Sequence, residues 1–259
     1  MKDKIRDALD YYRELGFEEL PFRVVPAAGK PASAMLRKAA DPGAEPTSDA
    51  IVSSSPEPPV LVGASDKAEA LKALRDEIGS CTRCKLSRER TNIVFGEGSP
   101  DAEIMFIGEA PGREEDAQGQ PFVGEAGQHL TRLIEKLGFR RETVYIANVC
   151  KCRPPGNRDP EPDEMSTCFP FLSGQIRIIA PKIILSLGKI ATYRLMQPST
   201  PISKFSILKV RGKWFQYRDI PVMPTTHPAY WLRYREDKHQ VLREAQEAVA
   251  RLRMLKGES

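Results

Sequence analysis

No stretch of this sequence is apolar for long enough to cross a membrane, and its start, Met-Lys-Asp-Lys-Ile-Arg, has no signal-peptide core. Both absences predict a cytoplasmic protein without membrane contact. The G-x-G-x-x-G dinucleotide fingerprint is missing, and so is the G-K-S/T of a P-loop. Two common nucleotide-binding classes are thereby excluded. Histidine is scarce, with 3 in 259 residues, so each one merits a reason for its place. Cysteine is limited to 5. In the cytoplasm a cluster of cysteines more often holds a metal than forms disulfides. A net charge of +4 permits a polyanionic partner without requiring one.

What is present falls into three parts. Residues 1–17 place Ile5, Leu9, Tyr12 and Leu15 on one helical face, with Gly16 as the stop. This predicts an amphipathic helix that could dock a replication or repair partner. Residues 18–65 are rich in Pro, Ala and Ser, hold no period, and read as a disordered linker. Residues 66–259 alternate apolar runs with helical patterns, which predicts a three-layer α/β/α sandwich around a mainly parallel, four-stranded sheet. The four strands are 103–108, 144–149, 182–187 and 220–224. A short additional strand is expected at Ile93-Val94-Phe95. A hairpin is expected between Ile207–Val210 and Trp214–Tyr217.

The strand 103–108 ends in Gly108-Glu109-Ala110-Pro111-Gly112, followed by Gln120-Pro121-Phe122-Val123-Gly124. α/β proteins place ligands where strands stop at the carboxyl edge of the sheet. Two further strands end at Asn148 and, after Thr225-Thr226, at His227. The other histidines, His129 and His239, fall inside predicted helices. An asparagine side chain offers one acceptor and one donor set. It can accept from a ring N–H and donate to the adjacent carbonyl, which is the pattern of uracil and the reverse of cytosine. Phe122 offers a stacking face. His227 can donate to a carbonyl oxygen that gains charge as a ring leaves.

Cys81 and Cys84 form C-x2-C after a helix, and Cys152 and Cys168 are C-x15-C beyond the second strand. Two such pairs can converge on one thiolate site, for zinc or for an iron–sulfur cluster. Cys150, two residues from Cys152, should point to the opposite face of an extended segment, leaving it as a spare.

These motifs, with Lys151-Cys152-Arg153-Pro154-Pro155-Gly156-Asn157-Arg158 and His227-Pro228-Ala229-Tyr230, resemble those of the family 4 uracil-DNA glycosylases from about Asp66 to the end. The four-cysteine spacing resembles that family too. The resemblance implies a 4Fe–4S cluster on Cys81, Cys84, Cys152 and Cys168. It implies a uracil site lined by Gly108, Glu109, Ala110, Phe122, Asn148 and His227. Glu109 would orient the attacking water, and His227 would stabilise the departing uracil anion. Family 1 enzymes carry an aspartate where Ala110 stands, so that base is absent here. Glu115 would exclude a thymine methyl group. Uracil-containing DNA, single- or double-stranded, would be held by Arg153, Asn157, Arg158, Tyr230, Trp231 and Arg233, with Lys189, Arg211 and Lys213 beside them. Tyr230-Trp231-Leu232-Arg233 is a candidate wedge for the gap left by the flipped nucleotide; the alternative is that Trp231 and Leu232 pack under the loop.

The implied enzyme is a monomeric, monofunctional hydrolase, initiating base excision repair. A superfamily member that traps itself covalently would need a histidine in the loop 154–162, which has none. A non-catalytic, cluster-bearing nucleic-acid module would not need Asn148 and His227 in one cavity.

Overall fold

The computed structural model describes residues 66–258. The helix expected at 1–17 and the linker expected at 18–65 lie outside the described residues. Among the described residues no helix is long and apolar enough to cross a membrane.

Four strands are parallel and lie side by side: β3 (Tyr145–Asn148), β2 (Ile104–Gly108), β4 (Ile183–Leu187) and β6 (Ile220–Thr225). Every residue of β2, β3 and β4 is buried, because helices cover both faces. Side chains alternate between the two faces, as the pleat requires. Met105 and Ile107 pack beneath Leu71, Leu74, Leu172 and Ile176, on helices Lys67–Ile78 and Pro162–Ile179. Ile104 and Phe106 face Leu130, Ile134, Val241 and Ala245, on helices Glu125–Lys136 and Asp237–Lys256. The three-layer sandwich is therefore present.

The sheet has six strands rather than four, in the order β1-β3-β2-β4-β6-β5. The extra two are short antiparallel edges, β1 (Glu97–Gly98) and β5 (Phe215–Tyr217). The strand expected at Ile93–Phe95 is not formed; the chain pairs only two residues later. The expected hairpin is also shifted. Ile207–Val210 is a single helical turn, and β5 pairs forward with β6 across Arg218 and Asp219.

The strand order creates the site. From β2 the chain moves to one side to form β3, then crosses back to form β4 on the other side. At such a switch point the loops leaving the carboxyl ends diverge and open a crevice. Gly108, Asn148, Leu187 and Thr225 all end their strands at that edge.

Candidate active site

Asn148 is opposite Gly108 in the β2–β3 register. It is 2% exposed, and its Oδ1 has no hydrogen-bond partner. A buried acceptor left unpaired costs roughly 1–3 kcal/mol, so one aimed into a crevice marks a ligand position. Gly108 keeps that position open. A Cβ there would lie 2.8 Å from Phe122 Cε2 and closer still to Phe122 Cζ and Asn148 Oδ1.

Phe122 is buried and stands with φ 52°, in the left-handed region. Its ring lies 5.7 Å from the His227 ring, tilted by 34°. His227 follows β6 and caps the helix Pro228–Arg233, its Nδ1 accepting from Ala229 N–H at 3.2 Å. A neutral ring that accepts at Nδ1 carries its proton on Nε2. Burial pushes the His227 pKa down to about 4, so the ring is neutral at physiological pH. Gly188, on the neighbouring strand end, leaves room for it, since a Cβ there would be 2.9 Å from His227 Cβ.

Glu109 and Ala110 are half-buried at the end of β2. Burial, with the Asp159 charge adding to it, pushes the Glu109 carboxyl up to about 7, against the pull of Lys189. Glu115 is tied to backbone: its carboxylate accepts from Gly112 N–H at 3.1 Å, Val123 N–H at 3.0 Å and Gly124 N–H at 2.9 Å.

The structure thus brings Gly108, Phe122, Asn148 and His227 around one space, with Glu109 and Ala110 at its β2 edge. The expected DNA face is altered. Trp231 is 3% exposed, and its Nε1 donates to Thr226 Oγ1 at 2.9 Å. It packs in the core and is not an exposed wedge. Leu232 is half-buried, Arg233 is exposed, and Tyr230 stacks on the exposed Tyr234 at 4.3 Å. Arg211 is also removed from that face. It pairs with Asp237, and with Glu244 at 2.7 Å. Arg158 forks onto the buried Glu164 at 2.8 and 2.6 Å, fastening its loop to the helix Pro162–Ile179. Arg153 donates to Asn157 Oδ1 at 2.6 Å. Arg233 and Lys213 remain exposed.

Cys81, Cys84, Cys152 and Cys168 line one small cavity together with Arg90 and Lys151. Cys152 Sγ accepts from Arg90 Nη1 at 3.4 Å, and Cys168 Sγ accepts from Lys151 N–H at 3.2 Å. Lys151 is wholly buried, its ammonium donating to two neutral oxygens, Asn148 O at 2.8 Å and Gln175 Oε1 at 2.6 Å. Burial pushes the Lys151 ammonium down to about 8, and the neighbouring Cys168 and Cys150 sulfurs oppose that shift. Burial pushes Cys152 up to about 11, while a hydrogen bond with Cys150 and the Lys151 charge hold Cys168 down to about 7. Among the described residues no three His, Cys, Asp or Glu side chains are grouped to hold a single metal ion. The four thiols that line this cavity are the donor type and number that an iron–sulfur cluster takes.

Cys150 departs from its expected place. It is buried in the same core as Cys152 and Cys168, with the Cys168 sulfur beside it raising its pKa. Alternation fails because the chain bends after Asn148, with Lys151 O accepting from Val94 N–H at 2.8 Å.

Several contributors are not visible in the sequence motifs. Arg141 donates to Pro121 O at 2.7 Å and to Phe122 O at 3.0 Å. Asp237 and Glu244 accept from Thr226 and Thr225, bracing the approach to His227 from the last helix. The family resemblance points to Glu115 for excluding a thymine methyl group; its hold on the backbone of Gly112, Val123 and Gly124 is visible only in the structure.

The family model of the uracil DNA glycosylase superfamily matches residues 95–252. The type-4 uracil-DNA glycosylase of Sulfurisphaera tokodaii is 50% identical over 182 residues, covering 68% of this chain and 81% of that protein. That of Saccharolobus solfataricus is 52% identical over 164 residues, or 61% and 76% of the two chains. That of Thermotoga maritima is 46% identical over 175 residues, or 66% and 88%. On both the span of the family match and these identities, the chain belongs to the uracil DNA glycosylase superfamily, among the type-4 uracil-DNA glycosylases.

Proposed function

We propose that this protein removes uracil from DNA by hydrolysing its N-glycosidic bond, leaving an abasic site for repair. The observation that carries the reading is the buried, unpartnered Oδ1 of Asn148, facing the same space as Phe122 and a neutral His227. Uracil in a duplex is out of reach, so the nucleotide must swing out, at a cost of a few kcal/mol. Its ring slides over Phe122. Asn148 Oδ1 accepts from uracil N3–H, and the Asn148 amide donates to O4. A ring with the reverse edge leaves both groups unpaired, a penalty that can reach ~10⁴-fold. Glu115, tied into the loop wall, is our candidate for excluding a 5-methyl group.

The C1′–N1 bond then lengthens through an oxocarbenium-like state. Negative charge builds on the leaving uracil, and His227 Nε2–H donates to O2 as it does so. A neutral donor suits this step because it strengthens as the anion forms without placing a cation in a desolvated site. Water adds to C1′ and yields a proton. Glu109 is our candidate to orient that water, and in its ionised form it would also oppose the positive charge at C1′. Ala110 supplies no base. Arg153, Lys213 and Arg233 are the proposed phosphate contacts, with Tyr230 and Leu232 nearest the gap in the stack.

The same reading assigns a 4Fe–4S cluster to Cys81, Cys84, Cys152 and Cys168. When bound, the cluster would cross-link three chain segments rather than carry electrons, since hydrolysis transfers none. Lys151 reaches from this region to the carbonyl of Asn148, so order among the cysteines supports the base-reading strand.

The test is incubation with single- and double-stranded oligonucleotides bearing one uracil, followed by alkali. Strand scission only after alkali, at the uracil position, is expected. No alkali-labile site in either substrate refutes the proposal; scission without alkali refutes the purely hydrolytic form.

A further inference from the structure

A phenylalanine with φ 52° needs support, because this backbone region is strained for a bulky side chain. Three elements hold the backbone of Phe122, and none of them is the ring's own packing. Arg141 spans two successive carbonyls, Nη2 to Pro121 O at 2.7 Å and Nη1 to Phe122 O at 3.0 Å. Its Nη1 is seated by Thr131 Oγ1 at 3.1 Å. On the other side, Glu115 Oε1 accepts from the next two amides, Val123 and Gly124, at 3.0 and 2.9 Å. From below, Gly127 lets the first turn of helix Glu125–Lys136 lie on the segment. A Cβ at Gly127 would come within 2.7 Å of Phe122 Cα and closer to its carbonyl.

We propose that Arg141, opposed by Glu115, is a positioning residue for base recognition: the pair clamps residues 121–124 and presents the Phe122 ring as a preset platform. The inference rests on the reading that Phe122 stacks on uracil. Arg141 also pairs with Glu97 of the edge strand β1 at 3.7 Å, and it reaches the site through the carbonyls of Pro121 and Phe122. A planar guanidinium can bridge two adjacent carbonyls, whereas an ammonium keeps the charge but loses the fork. Released from the clamp, Phe122 relaxes toward ordinary dihedrals and its ring leaves the plane required over Gly108.

The decisive experiment is a double-mutant cycle on full-length protein: wild type, Arg141→Lys, Phe122→Ala and the double variant. Each is measured for kcat/KM on a uracil oligonucleotide and for competitive inhibition by free uracil. A platform displaced by about 1 Å predicts a fall of order 10- to 100-fold for Arg141→Lys. Free uracil should inhibit this variant correspondingly less well. In the Phe122→Ala background the same substitution should change kcat/KM by less than about twofold, since the platform it serves is gone. Losses that multiply in the double variant overturn the clamp. So does a lowered melting temperature with unchanged kcat/KM and unchanged uracil inhibition, the signature of a merely structural arginine. Should Arg141→Lys fail to fold, Thr131→Val, which removes only the hydroxyl seating the guanidinium, carries the same cycle. A loss that vanishes in the Phe122→Ala background supports the clamp; a loss that persists there, or no loss, overturns it. Failure of the underlying reading is separately visible: Phe122→Ala with wild-type activity would mean that Phe122 is no platform at all.

Discussion

Replacing Gly108 by alanine tests the pocket through volume alone. The backbone of Gly108 is outside the left-handed region, so alanine meets no dihedral penalty. Its methyl group would lie 2.8 Å from Phe122 Cε2 and nearer still to Phe122 Cζ and Asn148 Oδ1. Carbon contacts are comfortable at about 3.5–4.0 Å, so the neighbours must withdraw by about 1 Å. Neither can do so freely. Phe122 is gripped on both sides of its backbone, and Asn148 is fixed by strand register against Gly108 itself. The methyl therefore stays in the space assigned to the base. A misplacement of about 1 Å costs roughly 10²-fold, about 2.7 kcal/mol, and added loss of the Asn148 pairing takes the expected fall in kcat/KM toward ~10⁴-fold, about 5.5 kcal/mol. Overpacking should cost the fold about 1–3 kcal/mol, a melting shift of several degrees, without unfolding it. Single-turnover release of uracil from a single-stranded oligonucleotide, followed by alkaline cleavage, measures the first quantity; calorimetry measures the second. A folded Gly108→Ala protein with kcat/KM within about twofold of wild type would refute the placement of uracil between Asn148 and Phe122.

Three further outcomes follow from the same geometry. His227→Gln should lower kcat by about 10²–10³-fold with little change in KM, because the donor acts on charge that appears only in the transition state; an unchanged single-turnover rate removes His227 from that role. The two perturbed groups should drive stability in opposite directions with pH. His227, held down to about 4, stays neutral while the unfolded chain takes up a proton, so stability rises with pH from about 4 to 6.5. Glu109, raised to about 7, keeps a proton that the unfolded chain has lost, so stability falls as pH rises from about 4.5 to 7. Urea midpoints of His227→Gln and Glu109→Gln across pH 4–8 should each lose one of these slopes, and unaltered slopes would contradict the burial of these groups. Anaerobically purified protein should be brown and contain about four iron atoms per chain. Cys168→Ser should lose iron and melt at lower temperature, and stoichiometric zinc in a colourless wild-type protein would sink the cluster assignment.

The four parallel strands were legible because burial on both faces leaves short apolar runs, each ended by glycine, asparagine or threonine. The edges were not. Glu97–Gly98 is too short to express a period, and β1 forms there because Gly98 can approach Tyr145, where a Cβ would meet its Cα at 2.8 Å. Ile207–Val210 carries strand-forming residues yet closes one helical turn; four residues cannot distinguish the two periods. Cys150 was misplaced for a related reason. Alternation applies only while the chain stays extended, and the bend after Asn148 brings that thiol to Cys168. The sequence Tyr230-Trp231-Leu232-Arg233 is compatible with a wedge or with packing under the loop; Trp231 packs, its Nε1 donating to the Thr226 hydroxyl five residues earlier.

A physical asymmetry separates the legible part of the site from the rest. On the proposed reading, groups that touch the base are dictated by the base: one amide for two adjacent edges and one neutral donor, both at strand ends, and one aromatic face from the segment between two helices. Their residue types are thus constrained where they stand, and a sequence displays them. The groups that hold them are constrained only in space. Arg141 could grip the Pro121 and Phe122 carbonyls from any segment that passes within reach, and in this fold the turn before β3 happens to do so. Asp237 and Glu244 brace Thr226 and Thr225 from a helix that begins after the site is complete. The orphaned oxygen of Asn148 belongs to both kinds. Its identity is readable from chemistry, but its lack of a partner is a fact of packing. One main-chain bond, Val149 N–H to Gly108 O at 3.0 Å, and one from a side chain, Lys151 Nζ to Asn148 O at 2.8 Å, hold its strand end. In the proposed reading, the side-chain oxygen, without a partner of its own, is left for a uracil N–H, and base selectivity rests on that unpaired acceptor.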